Sequence, residues 1–174
     1  MPGKPKPTDP KIVPKPTMTM AVVTTVGDPN TICEDAFSAL YGSVYGLKMQ
    51  LKKSGQTDFK VTGLRARWPD AHLVPKEQWT AHWALPIPDG TSEVPQKVPS
   101  LEVRVEKWDY GTVAEILHIG PYTEEGPSVA RLHEFIVSSG YEIAGQHEEE
   151  YLTSPKAKVQ KTIIRYQVRQ SPSK

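Results

Sequence analysis

The order strand, glycine–proline turn, helix, strand, strand occurs twice in these 174 residues, and no other feature limits the fold so tightly. In the first pass, residues 12–26 read as a strand, with Met18, Met20 and Val22 alternating against Thr17, Thr19 and Ala21. Gly27-Asp28-Pro29-Asn30 is turn chemistry. A helix follows over 31–54, where Thr31 and Glu34 have the spacing of a capping box. Cys33, Phe37, Leu40, Val44, Leu47 and Leu51 form its apolar stripe, and Lys52, Lys53 and Gly55 close it. Strands are predicted over 59–68 and 78–87.

The second pass opens with strands 101–107 and 112–119, which read as a hairpin turning at Trp108-Asp109-Tyr110-Gly111. After Gly120-Pro121-Tyr122, the run Glu124-Glu125-Gly126-Pro127 starts a helix with carboxylates at its positive end and proline in its first turn. Val129, Leu132, Phe135 and Ile136 are its buried face and Gly140 its cap. Strands over 146–152 and 162–168 complete the pattern. The prediction is an α+β domain over 11–170, built from repeats over 11–90 and 100–169. The halves join as one antiparallel sheet with both helices on one face and a ligand cleft where they meet. Residues 1–10, rich in proline and lysine, read as a flexible tail.

Composition narrows the function. A formal net charge of +1 supplies no field to gather nucleic acid or an anionic membrane, so neither is an expected partner. Cys33 is the only cysteine, which excludes an internal disulfide and a cysteine-based zinc cage. No segment reaches the roughly 20 apolar residues of a membrane helix, and the N-terminus lacks the apolar run of a signal peptide. The expected location is the cytoplasm, as a monomer or weak homodimer, with no cofactor and no metal. The five histidines include no HExxH, and no phosphate-binding loop, dinucleotide fingerprint or Gly-x-Ser-x-Gly elbow occurs.

Two groups of residues remain for chemistry. In the run His147-Glu148-Glu149-Glu150-Tyr151-Leu152, alternation puts His147, Glu149 and Tyr151 on one face and Glu148, Glu150 and Leu152 on the other. Periodicity does not say which face is inside. If the first is, Glu149 is a buried carboxylate beside a phenol and an imidazole, a costly arrangement without compensation. The second group is aromatic: Trp79 and Trp83 share a strand face, Trp68 lies on the preceding strand, and Tyr41 and Tyr45 are one helical turn apart. Rings of this kind are usually core, but around a carboxylate they suit a planar or cationic ligand.

These stretches resemble the stand-alone GyrI-like small-molecule-binding family, whose domain also serves as effector module of multidrug-responsive transcription regulators. The resemblance covers about residues 11–169. It rests on GDPNT, ALYGSVYGLKMQLKK, KVTGLRARW, WTAHWALP, LHIGPYTEEGP, LHEFI and HEEEYLTSP, in this order and spacing. It implies that Glu149 points into the ligand cleft while Glu148 and Glu150 face water. The expected ligand-binding residues are Glu149, Tyr151, Trp68, Trp79, Trp83, Tyr41, Tyr45, His118 and Tyr122. The chain departs from many single-domain relatives at Arg65-Ala66-Arg67-Trp68-Pro69, where they carry a glutamate and a tryptophan pair.

The function implied first is binding of amphipathic, aromatic or cationic small molecules. The alternative is hydrolysis of cyclopropane-bearing DNA-alkylating natural products. There Glu149 would be the general base, for which a raised pKa is suited, and Tyr122 or Tyr151 would donate to the developing oxyanion. Inhibition of a topoisomerase and haem binding are the remaining readings. The segment ahead of the domain is too short for a helix-turn-helix.

Overall fold

Pro16 divides the first predicted strand, and with it the chain. The computed structural model describes residues 8–56, 58–154 and 156–172. Its strands are β1 (Lys11–Lys15), β2 (Met18–Val26), β3 (Arg65–Trp68), β4 (Thr80–Pro86), β5 (Arg104–Trp108), β6 (Gly111–Ile119), β7 (Tyr141–Ile143), β8 (His147–Tyr151) and β9 (Lys161–Gln170). The helices are α1 (Pro29–Lys53) and α2 (Gly126–Ser138). The single strand expected over 12–26 is thus two strands. β1 pairs with β6, whereas β2 lies between β4 and β5. A proline cannot donate to a ladder, and Pro14 is tolerated because β1 has only one partner.

Two compact units result, one formed by Thr17–Asp109 and the other by the chain up to Pro16 together with Tyr110 onward. In the first unit the strand order is β3-β4-β2-β5, all antiparallel, and α1 packs on β2 and β4. In the second the order is β8-β9-β6-β1, again antiparallel, with α2 on β6. Each unit therefore runs strand, helix, strand, strand and borrows a fourth strand from outside that run. This is the predicted α+β class, two helices on antiparallel strands, with the duplication visible in the strand order itself.

The equivalence extends to single atoms. Gly27 ends β2 with φ +136° and its N–H donates to the carbonyl of Trp79, just ahead of β4, at 2.9 Å. Gly120 ends β6 with φ +134°, and its N–H donates to the carbonyl of Gln160, just ahead of β9, at 2.8 Å. A side chain at either position is strained, and at Gly27 a Cβ would also stand 3.2 Å from Ile32 Cδ1. Gly27→Ala and Gly120→Ala should each cost roughly 1–3 kcal/mol in urea denaturation, the usual strain of such a backbone. Losses within 0.3 kcal/mol would show that these turns relax freely.

Several expectations are corrected. The α1 cap is Asp28, whose carboxylate accepts from Asn30 N at 2.9 Å, while Thr31 already lies inside the helix and donates to Asp28 O. Its buried residues are Ala36, Ala39, Leu40, Ser43, Val44 and Leu47, so the stripe is narrower and smaller than predicted, and Cys33, Phe37 and Leu51 border it. Of the strand predicted over 59–68 only the last four residues pair, because Gly63 turns the chain at φ +77°. The hairpin expected at 108–111 is a passage between units: β5 pairs with β2, and β6 with β1 and β9. β7 was not expected; it is three residues long and adds to β9 directly after the helix-ending Gly140. Of the tail expected over 1–10, residues 1–7 lie outside the described residues.

The core of the second unit joins Ala114 and Ile116 of β6, Leu132 and Ile136 of α2, and Ile164, Tyr166 and Val168 of β9. β8 runs beside β9 with Glu149 opposite Ile164 and Glu148 opposite Arg165. Directly opposed residues share a face. Glu149 therefore lies on the face that α2 covers, and Glu148 on the reverse.

Candidate functional site

The reverse face of β8 is also closed. Glu148 is 2% exposed and takes Arg165 Nη1 at 2.7 Å and the Tyr110 hydroxyl at 3.0 Å. Arg165 gives Glu150 a bond of 3.0 Å through the same nitrogen, and its Nε reaches Glu115 at 3.1 Å. The expectation that Glu148 and Glu150 face water is corrected. One buried guanidinium on the central strand holds three carboxylates, and those neighbours outweigh the burial that would otherwise lower its pKa. An acidic run was read as solvated because the cation that neutralises it lies on another strand.

On the helix-covered face, Glu149 is 6% exposed. Its Oε2 accepts from the Tyr151 hydroxyl at 3.2 Å, and His147 Nε2 stands 3.6 Å from its Oε1, beyond hydrogen-bond reach. His147 Nδ1 is 2.6 Å from the Tyr166 hydroxyl. Burial raises that phenol's pKa to about 12, helped by the charges of Glu149 and Glu125, so it keeps its proton and can donate to Nδ1. Nε2 of His147 is then the protonated nitrogen, directed at the carboxylate. Tyr122 packs edge-on against Tyr151 with ring centroids 5.4 Å apart. Burial raises both phenols, Tyr151 the more, with Glu149 adding to each. Both are hydrogen-bond donors throughout the neutral range.

The remaining member comes from the start of α2. Glu125 occupies the N-cap position but makes no side-chain cap bond; its carboxyl lies against Glu149 instead. Glu125 Oε2 and Glu149 Oε1 are both buried with no donor. One proton between the two carboxyls satisfies both. It belongs to Glu125, because Tyr151 and His147 already favour the ionised form of Glu149. Burial, then the bond to Glu149 and its charge, raise Glu125 to about 9. Burial alone would raise Glu149 as well, but the neighbouring His147 imidazole, the Glu125 carboxyl and the Tyr151 hydroxyl outweigh it and lower that carboxyl to about 2. The raised carboxyl of the site is therefore Glu125, where the sequence had suggested Glu149. Donor atoms of Glu125, His147 and Glu149 all lie within 4.8 Å of one another, a spacing that one small cation could bridge.

His118 positions this end of the helix. Its Nε2 is 3.0 Å from the carbonyl of Pro121, which can only accept, and its Nδ1 is 2.8 Å from Ser128 Oγ in the first turn of α2. The imidazole thus ties together the turn that carries Tyr122 and the helix end that carries Glu125. Both of its nitrogens are engaged.

The structure brings together four residues that the sequence singled out: Glu149, Tyr151 and Tyr122, with His118 behind the turn. Trp68, Trp79 and Trp83 cluster within the Thr17–Asp109 unit, with Trp68 edge-on to Trp79 at 5.8 Å and to Trp83 at 5.3 Å. Trp83 is 4% exposed, donates to Thr25 Oγ1 at 3.0 Å and packs on Phe37, so it serves as core there. Trp79 donates to the carbonyl of Val74, while the Trp68 indole N–H is buried without an acceptor. Tyr41 and Tyr45 stack along α1 with centroids 6.4 Å apart, and Tyr45 is exposed. Arg65 is buried and bonds Gly63 O at 2.9 Å; Arg67 lies 3.8 Å over the Trp108 ring.

Glu125, His147 and Tyr166 were not assigned to the site from sequence. The signal for Glu125 was present in Thr123-Glu124-Glu125-Gly126-Pro127, where two carboxylates stand at a helix start that the dipole alone does not require. Tyr166 shares the inward face of β9 with Ile164 and Val168, a pattern that reads equally well as core.

Among solved structures, a hydrolase from Listeria innocua is 27% identical, with 93% of this chain and 92% of that one covered and a TM-score of 0.81. An uncharacterized conserved protein from the same organism is 25% identical over 93% of both chains, with a TM-score of 0.83. The EcmrR C-terminal domain shares the fold at 12% identity, with coverage of 93% and 98% and a TM-score of 0.62. No curated protein matches significantly. No helix among the described residues is long and apolar enough to cross a membrane. The GyrI-like small molecule binding domain model matches residues 8–170, nearly the whole chain, and the protein belongs to that family.

Proposed function

We propose that the Glu149 site binds amphipathic, aromatic cations. The observation that carries this reading is a buried, ionised carboxylate whose Oε1 is met by nothing but the proton of Glu125, beside two tyrosine rings. Such an oxygen is costly to leave unmet and is stabilised by a cation, while ring contact and charge attraction accept many ligand shapes. The test is a fluorescence titration with a flat cationic dye and its neutral isostere. Glu149→Gln keeps the shape and removes the charge, so affinity for the cation should fall by about 1–3 kcal/mol and for the isostere much less. Equal losses for both ligands would remove the charge from the account.

A second reading is ring-opening hydrolysis, favoured by an ionised carboxylate beside phenol donors and by similarity to a Listeria protein described as a hydrolase. Water would attack a cyclopropane carbon and the ring C–C bond would break, its electron pair passing to a conjugated carbonyl oxygen. Glu149 would take the proton of the water and Tyr122 would donate to that oxygen. Tyr151 is the weaker candidate for this donation because its proton already points at Glu149. Turnover of a cyclopropane substrate, lowered at least about a hundredfold in Glu149→Gln, separates this reading from binding alone.

A further inference from the structure

We propose that the cation best suited to this site is an amidinium or guanidinium head on an aromatic body, a planar group with two N–H donors. A quaternary ammonium would fit less well. This rests on the binding reading above and adds the chemistry of the ligand head. Two buried oxygens, Glu125 Oε2 and Glu149 Oε1, have no donor beyond the proton that the two carboxyls share. The Glu149 side chain is 8% exposed, and donor atoms of the two residues lie within 4.8 Å of each other. Two acceptors on neighbouring carboxyls match a fork of two N–H groups on one cation.

A quaternary ammonium supplies the charge but no N–H, so the two buried oxygens gain no hydrogen bond from it. That is the situation in which a site discriminates most strongly, because its own polar groups are left unmet. The amidinium takes the place of the proton that the two carboxyls share in the free protein. The edge-to-face rings of Tyr122 and Tyr151 provide a surface for the aryl body. His147 Nε2 faces Glu149 Oε1 from 3.6 Å, too far to hold that oxygen by a hydrogen bond.

The test is isothermal titration of the wild-type protein with 2-naphthamidine, 2-naphthyltrimethylammonium and neutral 2-naphthamide, which differ only in the head group. The amidine should bind at least about tenfold more tightly than the trimethylammonium compound, the size of one charge-assisted hydrogen bond. Glu125→Gln should reduce that advantage to less than about threefold. This wild-type comparison needs no variant to fold. Equal affinity for the two cations would overturn the proposal and leave the binding reading intact. An amidine advantage unchanged in a folded Glu125→Gln protein would overturn it as well, by removing Glu125 from the fork. Binding of none of the three would overturn both readings.

Discussion

Replacing Arg165 with methionine is expected to destabilise the protein by about 3–5 kcal/mol, the range seen when one partner of a buried ion pair is removed. Arg165 is 3% exposed and bonds Glu148, Glu150 and Glu115 at 2.7–3.1 Å. Without it Glu148, 2% exposed, retains the Tyr110 hydroxyl but has lost the charge that balances its own. Lys11 does not replace it, because its ammonium pairs with Glu115 at 3.5 Å from the sheet edge. Adding Glu148→Leu to the methionine variant should recover most of the loss, since a well-packed apolar pair replaces a buried ion pair at little net cost. Urea midpoints of wild type, both single variants and the double variant give the coupling directly. A single-variant loss below 1 kcal/mol would mean that water reaches this network.

The two faces of β8 explain how much of the site could be read in advance. Alternation separated Glu149 from Glu148 and Glu150, and that separation holds, with Glu149 beside Tyr151. Periodicity cannot report that both faces are covered, because what neutralises the reverse face is an arginine fifteen or more residues away on β9. The two glycines that end β2 and β6 marked the duplication, since a left-handed turn before a helix needs that residue. The expected hairpin failed for a related reason. Trp108-Asp109-Tyr110-Gly111 is turn chemistry, and turn chemistry does not specify whether the chain folds back on its own strand or moves to another unit. Glu125 was read as a dipole partner, which its position permits. Its second role depends on a contact with β8 more than twenty residues away, beyond any local pattern.

The Glu125–Glu149 pair predicts a second large effect, in the dependence of stability on pH. A carboxyl raised in the folded state holds its proton more tightly folded than unfolded. Its contribution is therefore complete below the unfolded value near 4.5 and is lost as pH climbs through the folded value of about 9. Glu149 acts in the opposite sense: its contribution is present above the unfolded value and lost as pH falls towards about 2. Glu125→Gln mimics the protonated state at every pH. Its melting temperature should match wild type near pH 4 and exceed it near pH 9.5 by roughly 3–6 °C. That is a modest share of the full shift, because Glu125 is only half-buried and solvent screens it. Parallel curves for the two proteins across this range would mean that no proton is shared.

The most direct measurement is a carbon-13 NMR titration of the glutamate side-chain carboxyls, with Glu125 and Glu149 assigned by their glutamine variants. One ionised carboxyl beside one protonated carboxyl is the arrangement on which the proposed cation binding rests. Glu149 should remain ionised down to about pH 2–3, and Glu125 should keep its proton until about pH 9. A saturating aromatic cation should bring the Glu125 titration down towards neutral pH, because the ligand replaces the proton. Ordinary titration of both carboxyls between about pH 4 and 5, unmoved by the ligand, would contradict the account.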